Sequence, residues 1–114
     1  MTDILQQEQR HIRHRLAVAT HVFTTDGITY GRLITIDKDN FVIARHSPVV
    51  VGEKAQLTLT IPGLADKEQQ NMELTTECKY CNYVADEELF HIGFHISEIS
   101  DQNQVALNYF IRDF

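Results

Sequence analysis

Strict alternation of apolar with other residues is the feature that most constrains how this chain folds. In "ELFHIGFHI", residues 88–96, the apolar side chains at positions 90, 92, 94 and 96 alternate with His91, Gly93 and His95. A period of two is typical of a β-strand with one buried face. "KAQLTLTI", residues 54–61, alternates in the same way. The pattern therefore predicts a mainly β protein.

Similar segments, separated by turn-forming residues, predict six strands in mostly antiparallel order. They are residues 15–24, 28–36, 41–45, 54–61, 72–84 and 88–96. Six short strands at this spacing close most easily into a small barrel or split barrel, because closure removes exposed sheet edges. The predicted fold is a six-stranded antiparallel barrel.

The two ends of the chain have a helical pattern. Ser100 suits an N-cap position, Asp101 suits a first helical turn, and Leu107, Phe110 and Ile111 recur at helical spacing. This C-terminal helix is predicted to lie on an open end of the barrel. "TDILQQEQ" near the start predicts one or two helical turns, so residues 1–9 are assigned to an N-terminal segment and residues 10–114 to a single barrel domain.

Composition excludes several classes of protein. The chain is 43% hydrophobic and 23% charged, as in ordinary globular proteins. It has no apolar run near the roughly 20 residues that cross a bilayer, and its N-terminus has no signal-peptide core. A cytoplasmic protein with reduced cysteines and no membrane insertion is therefore predicted. The net charge of −6 argues against binding to DNA or RNA.

The segment from Cys78 to His95 reads C-x2-C-x9-H-x3-H, which is close to a zinc-finger spacing. On a strand, however, His91 and His95 would be separated by roughly 13 Å, too far for two ligands of one zinc ion. Cys78 and Cys81 would point to opposite faces of a regular strand, with Cα atoms roughly 10 Å apart. The periodicity therefore argues against a metal site and a disulfide.

Catalytic signatures are equally scarce. The sequence has no G-x-S-x-G elbow, no glycine-rich phosphate loop and no H-E-x-x-H motif. The acidic groups in "DKD" and "ADEE" fall in predicted turns, where such residues are commonly solvated. Neither an enzyme nor a cofactor is predicted.

A cationic arm precedes the first predicted strand. Arg10, Arg13 and Arg15 lie within six residues, together with His11 and His14. Such an arm on an otherwise acidic protein favours a compact anionic partner over a long polyanion. The alternative is that these basic side chains are simply solvated.

Two long stretches resemble the PilZ domain, the bacterial cyclic di-GMP receptor module. They are "HSPVVVGEKAQLTLTIPG", residues 46–63, and "FHIGFHISEISDQNQVALNYFI", residues 90–111. The resemblance extends over about residues 10 to 112 and implies a PilZ-like barrel with cyclic di-GMP as ligand. Both stretches are framework signatures that say nothing about the ligand contacts.

The resemblance places the first ligand motif of the family, R-x-x-x-R, in the basic arm. Arg15 matches the second arginine, Arg10 matches an extra leading arginine, and His11 replaces the first arginine of the motif. Arg13 lies between motif positions. A guanidinium can form paired hydrogen bonds with guanine or with phosphate oxygens, whereas histidine supplies fewer donors and only a partial charge.

The second motif, (D/N)-x-S-x-x-G, falls on Thr35, Asp37 and Asn40. Thr35 cannot make the bidentate contact of an acidic or amide side chain. Asp37 replaces serine and adds negative charge near the expected ligand. Asn40 replaces glycine, and asparagine also accepts a left-handed backbone. The segment "DKDN" is also, more simply, a good hairpin turn.

Two hypotheses follow from this imperfect match. In the first, the arm binds cyclic di-GMP weakly and becomes ordered, which changes the surface offered to a partner. In the second, the chain is a degenerate adaptor that acts only by protein–protein contact, through an exposed patch near Tyr80 and Tyr83. These tyrosines lie three residues apart, so the strand period predicts that only one is available. Self-association through the helix or a sheet edge stays open.

Overall fold

The structure is a computed structural model that describes residues 14–15, 20–61 and 70–113. Seven strands and one helix are described: β1 (His14–Arg15), β2 (His21–Thr24), β3 (Thr29–Ile36), β4 (Asn40–Arg45), β5 (Lys54–Ile61), β6 (Gln70–Val84), β7 (Leu89–Glu98) and α1 (Asp101–Asp113). The predicted N-terminal segment, residues 1–9, lies outside the described residues. None of the described helices has the length and apolarity that a bilayer crossing needs.

The sheet closes into a barrel. The strand order is β3-β2-β5-β6-β7-β4, and β4 pairs back onto β3. All of these pairings are antiparallel. The predicted six-stranded antiparallel barrel is therefore confirmed. The first predicted strand is described in two pieces, β1 and β2, which pair with different parts of β3.

The core of the barrel comes from the inward positions of the alternating strands. Phe41 of β4 and Phe94 of β7 stack with their ring centroids 5.4 Å apart and form the centre of this core. The surrounding side chains are also almost fully buried: Ile36, Ile43, Leu57, Leu59, Met72, Leu74 and Ile92. Removal of this apolar surface from water is the main favourable contribution to folding.

Strand β7 has the predicted alternation. Ile92 and Phe94 are buried in the core, while His91 and His95 lie on the other face with different partners. His91 Nε2 is 3.1 Å from Glu87 Oε1, and His95 Nδ1 is 3.2 Å from Asn40 Oδ1. The predicted strand is confirmed, and the two imidazoles belong to separate polar contacts.

The prediction that Cys78 and Cys81 point to opposite faces is wrong. The register between β6 and β7 shifts between Cys78 and Tyr80, so Lys79 is an extra residue in a β-bulge. Cys78 then pairs with Phe94 and Cys81 pairs with buried Ile92, which places both cysteines on the core side. Both are free thiols, and burial raises the pKa of Cys78 above its ordinary value.

Helix α1 begins as the sequence predicts. The Asn103 N–H donates a hydrogen bond to Ser100 Oγ at 3.1 Å, which is the contact of an N-cap. Leu107 and Phe110, three residues apart on one face of the helix, are fully buried in the barrel core. The apolar face of the helix therefore packs on the barrel.

Candidate functional site

Four residues on neighbouring strands form a row across the outside of the barrel. Thr35 of β3 pairs with Val42 of β4, Val42 pairs with Gly93 of β7, and Gly93 pairs with Tyr80 of β6. Residues directly opposite each other in antiparallel strands share one face of the sheet. The chain neighbours of Gly93 point into the core, so this row lies on the outer face.

A cleft of about 600 Å³ runs along this row. The four residues of the row line part of the cleft. Asp37 and Asn40 line the cleft at the turn between β3 and β4. Lys79 and His91 also line it, from β6 and β7. The cleft therefore combines hydroxyl, carboxylate, amide, ammonium, imidazole and aromatic groups with apolar side chains.

Tyr80 depends on the missing side chain of Gly93 for its position. A Cβ placed on Gly93 would lie 2.6 Å from Cδ2 and Cζ of the tyrosine ring, inside any normal carbon–carbon contact. The ring thus packs directly on the backbone of β7 and is still 40% exposed. Burial raises the pKa of Tyr80, so its hydroxyl stays protonated near neutral pH. Aromatic faces of this kind can stack on nucleotide bases.

The Asp37 carboxylate is used inside its own turn. Asp37 Oδ1 accepts hydrogen bonds from the N–H groups of Asp39 and Asn40, both at 2.8 Å. The Asp37 N–H also donates to the Asn40 carbonyl at 2.8 Å. These contacts match the interpretation of "DKDN" as a hairpin turn stabilised by its aspartate. The negative charge of Asp37 nevertheless lies at the edge of the cleft.

Asn40 differs from the sequence expectation. Its backbone is extended as the first residue of β4, and so it does not use the left-handed conformation for which glycine would be suited. Its side-chain oxygen lies 3.2 Å from His95 Nδ1 and accepts a hydrogen bond when that nitrogen carries the proton. Asn40 therefore links the turn to the outer face of β7.

Lys79 is held by a neighbouring carboxylate. Its Nζ lies 2.9 Å from Glu77 Oε2, and this hydrogen bond lowers the pKa of Glu77. The lysine side chain is about half exposed. Exposed ion pairs stabilise proteins little, because water and salt screen them. An anion entering the cleft could therefore recruit Lys79 at small cost.

The predicted site residues fall into two groups. Arg15 pairs with Thr35 through the backbone of β1 and β3, next to the turn that contains Asp37 and Asn40. The other predicted positions lie outside the described residues: Arg10, His11 and Arg13. The backbone of Arg15 thus lies beside Thr35, the first residue of the second motif.

Three further residues line the cleft, although the sequence motifs do not mark them as ligand candidates: Lys79, Tyr80 and His91. A glycine in the middle of the β7 pattern indicates a close approach by a neighbouring group. That signal could have pointed to an aromatic partner. It could not identify Tyr80, because the pairing of β6 with β7 depends on the bulge.

The two tyrosines near the bulge are both exposed. Tyr80 is 40% exposed and Tyr83 is 58% exposed. The prediction that only one of them is available is therefore wrong. Opposite strand faces do not bury either ring here, because β5 pairs with β6 only as far as Glu77.

Comparison with solved structures identifies a similar fold. The structure of the Bacillus subtilis inhibitor of motility, MotI/DgrA, matches this chain with a TM-score of 0.70 and 17% sequence identity. The fold is PilZ-like. The match covers 89% of this chain and 48% of that chain, so this chain spans about half the length of MotI/DgrA. At this identity the likeness shows the fold alone. No family model matches the sequence, and no curated protein has a matching sequence.

Proposed function

We propose that this chain is a cytoplasmic, non-enzymatic PilZ-like signalling module that binds cyclic di-GMP weakly on the outer face of its barrel. One observation carries the proposal: the backbone register in which Arg15 pairs with Thr35. In this register the backbone of Arg15 lies beside Thr35, which lines the cleft together with Asp37 and Asn40. These are the positions that the family resemblance assigns to the ligand.

The cleft offers chemistry suited to a cyclic dinucleotide. An arginine at position 15 can bond two phosphate oxygens at once or pair with the edge of a guanine. The half-exposed ring of Tyr80 can stack on a base. Lys79 can add a positive charge close to a phosphate. The resemblance adds Arg10 and His11 as further contacts from the arm, and Arg13, which lies between the motif positions, can assist at the phosphates.

Weak affinity follows from the second motif. Thr35 has one hydroxyl, so it cannot make the bidentate contact with guanine that an acidic or amide side chain makes. The loss of such a contact weakens binding by about 1–3 kcal/mol, or roughly 5- to 150-fold. Asp37 already accepts two hydrogen bonds from its turn, and its charge repels an anionic ligand.

Arg15→Ala is expected to weaken cyclic di-GMP binding about tenfold, because it removes a charge-assisted contact. Backbone amide shifts in two-dimensional NMR, recorded during a titration at low salt, would measure this. The amides of Thr35, Asn40, Tyr80 and Gly93 should move in the wild-type chain.

Arg112→Ala is the matched control for this titration, because Arg112 stacks on Tyr109 of α1 with its guanidinium carbon 4.6 Å from the ring centroid and does not line the cleft. Cyclic di-AMP at equal concentration tests base specificity. Absence of amide shifts in the wild-type chain at about 1 mM cyclic di-GMP would contradict the proposal, because a dissociation constant of about 1 mM corresponds to a binding free energy of only about −4 kcal/mol.

The alternative function is an adaptor that acts by protein–protein contact without the nucleotide. It is favoured by large apolar side chains that are exposed near the β6–β7 hairpin: Tyr83 at 58%, Val50 at 72% and Val51 at 60%. The loop with both valines is joined to β6 by a hydrogen bond from the Gly52 N–H to the Cys78 carbonyl at 2.8 Å.

The adaptor alternative predicts that Tyr83→Ala abolishes function in cells while Arg15→Ala leaves it intact. The Tyr83 ring packs edge-on against Phe90 with the ring centroids 5.1 Å apart, but Tyr83 is 58% exposed. Loss of this ring should therefore preserve the fold. A cellular signalling assay with both variants at equal expression separates the two functions. Loss of function with Arg15→Ala alone would contradict the adaptor.

A further inference from the structure

Strand β6 extends beyond the strand that pairs with one of its edges. The pairing of β5 with β6 ends where Lys54 lies opposite Glu77. Cys78 still bonds on this side, donating its N–H to the Glu53 carbonyl at 2.9 Å. From Tyr80 to Val84, by contrast, β6 pairs only with β7 among the strands that the structure describes. One edge of this segment is thus without a described neighbour strand.

This edge lacks two of the features that normally protect a strand from further pairing, namely charged side chains and proline. Residues 80–84 read "YCNYV", with no charged residue and no proline. Their register with β7 is regular throughout, since the bulge lies just before them at Lys79. An uncharged edge in regular register presents a row of backbone N–H and C=O groups that another strand can pair with.

Opposite charges flank the edge. Lys79 lies directly before it in an exposed ion pair with Glu77 at 2.9 Å, which water and salt screen. Three acidic residues, Asp86, Glu87 and Glu88, follow the edge in the turn between β6 and β7. When two copies of this edge run antiparallel, Lys79 of each copy comes next to the acidic turn of the other. A parallel arrangement would instead bring like charges together. The charge pattern therefore selects a second copy of this chain, in antiparallel orientation, as the occupant.

We propose that two copies of the chain pair edge to edge through residues 80–84 of β6 and form a continuous sheet across a two-fold axis. Tyr80, Asn82 and Val84 lie on one face of β6, and Cys81 and Tyr83 lie on the other. Residues paired across the axis must share a face. A register in which Asn82 lies opposite Asn82 of the second copy satisfies this rule. It also gives each of the five residues a partner in the second copy.

This register makes Asn82 the contact point on the two-fold axis, as expected for an isologous interface. Tyr80 then lies opposite Val84 of the second copy, and Cys81 lies opposite Tyr83 of the second copy. A five-residue strand pair is a small interface, so the dimer belongs to the weak, concentration-dependent class. It requires no nucleotide, so its tests are made without one, although Lys79 and Tyr80 also line the cleft of the proposed function.

Disulfide cross-linking tests the register. In a Cys81→Ser background, Asn82→Cys is expected to form a covalent dimer under mild oxidation, because the two new thiols face each other across the axis. Cys78 is fully buried and does not compete. Asn108→Cys in the same background is the matched control, since Asn108 is exposed on α1. Equal cross-linking of both variants, or none of the Asn82→Cys variant, would overturn the proposal.

Charge reversal tests the choice of occupant. Sedimentation equilibrium of the wild-type chain from roughly 10 μM to 1 mM should show a monomer–dimer equilibrium. Lys79→Glu is expected to raise the dissociation constant about tenfold, and so is Asp86→Lys combined with Glu88→Lys. An equimolar mixture of the two variants should recover wild-type association, because the charges are complementary again.

Lys38→Glu, in the exposed turn between β3 and β4, controls for the change in net charge. A wild-type chain that stays monomeric over the whole range would overturn the proposal. An equal effect of Lys38→Glu and Lys79→Glu, or a mixture that fails to recover association, would overturn it as well. Circular dichroism of each variant verifies that the barrel is intact.

Discussion

Replacing Phe94 with alanine is expected to lower the free energy of unfolding by about 3–5 kcal/mol. Phe94 is 1% exposed, stacks on Phe41 at 5.4 Å, and meets the edge of the Tyr30 ring at 6.0 Å. Its removal takes apolar contacts from the middle of the barrel and leaves a cavity that the strands cannot collapse into, because their backbones are paired on both sides. Urea denaturation followed by circular dichroism measures the change.

Tyr83→Ala is the control for this experiment. It also removes an aromatic ring from the β6–β7 hairpin, but that ring is 58% exposed. The expected loss is about 1 kcal/mol or less, since little buried surface disappears. Similar losses for Phe94→Ala and Tyr83→Ala would contradict the placement of Phe94 at the centre of the core.

Gly93→Ala is expected to lower the free energy of unfolding by about 1–3 kcal/mol. The added methyl group would occupy the space of the Tyr80 ring, with which it would clash at 2.6 Å and closer. The Tyr80 ring must then move away from the backbone of β7. Because Tyr80 lines the cleft, this movement also changes the shape of the cleft. The same variant should therefore weaken any ligand that stacks on Tyr80.

A double-mutant cycle isolates this contact. In a Tyr80→Ala background the space beside position 93 is open, so Gly93→Ala should cost less than in the wild type or become neutral, because alanine has less backbone freedom to lose than glycine. Thermal and urea denaturation of the four proteins give the coupling free energy. Additive effects would mean that the clash with Tyr80 is not the cause.

Much of the fold follows from local pattern. The period of two in "KAQLTLTI" and "ELFHIGFHI" is enough to predict β5 and β7, since a strand with one buried face repeats its apolar residues in this way. Ser100, together with the spacing of Leu107 and Phe110, likewise predicts α1. These signals lie within a few residues of each other, so they can be read without knowing the topology.

The bulge at Lys79 could not be predicted in this way. An inserted residue changes which side chains face inward, yet the letters "CKYCNY" read like any other strand segment. The placement of both cysteines on the core side depends on that one residue. The fit of the Tyr80 ring onto Gly93, which belongs to a different strand, accompanies the bulge and is a contact of tertiary structure.

The candidate site was predicted in part for the same reason. The motif positions Thr35, Asp37 and Asn40 lie close together in sequence, and their turn is local. The pairing of Arg15 with Thr35, and the contact of Asn40 with His95, join residues that are distant along the chain. Such pairings depend on how the barrel closes, which the pattern of a single segment does not encode.

The pairing of β4 with β7 has a kinetic consequence. It joins residues about 50 positions apart, as in the Asn40–His95 contact, whereas β6 and β7 are joined by a short turn. Hairpins form within microseconds, while distant strands must first overcome the entropy of closing a long loop. The β6–β7 hairpin is therefore expected to precede ring closure on the folding pathway, and the β4–β7 seam should be completed late.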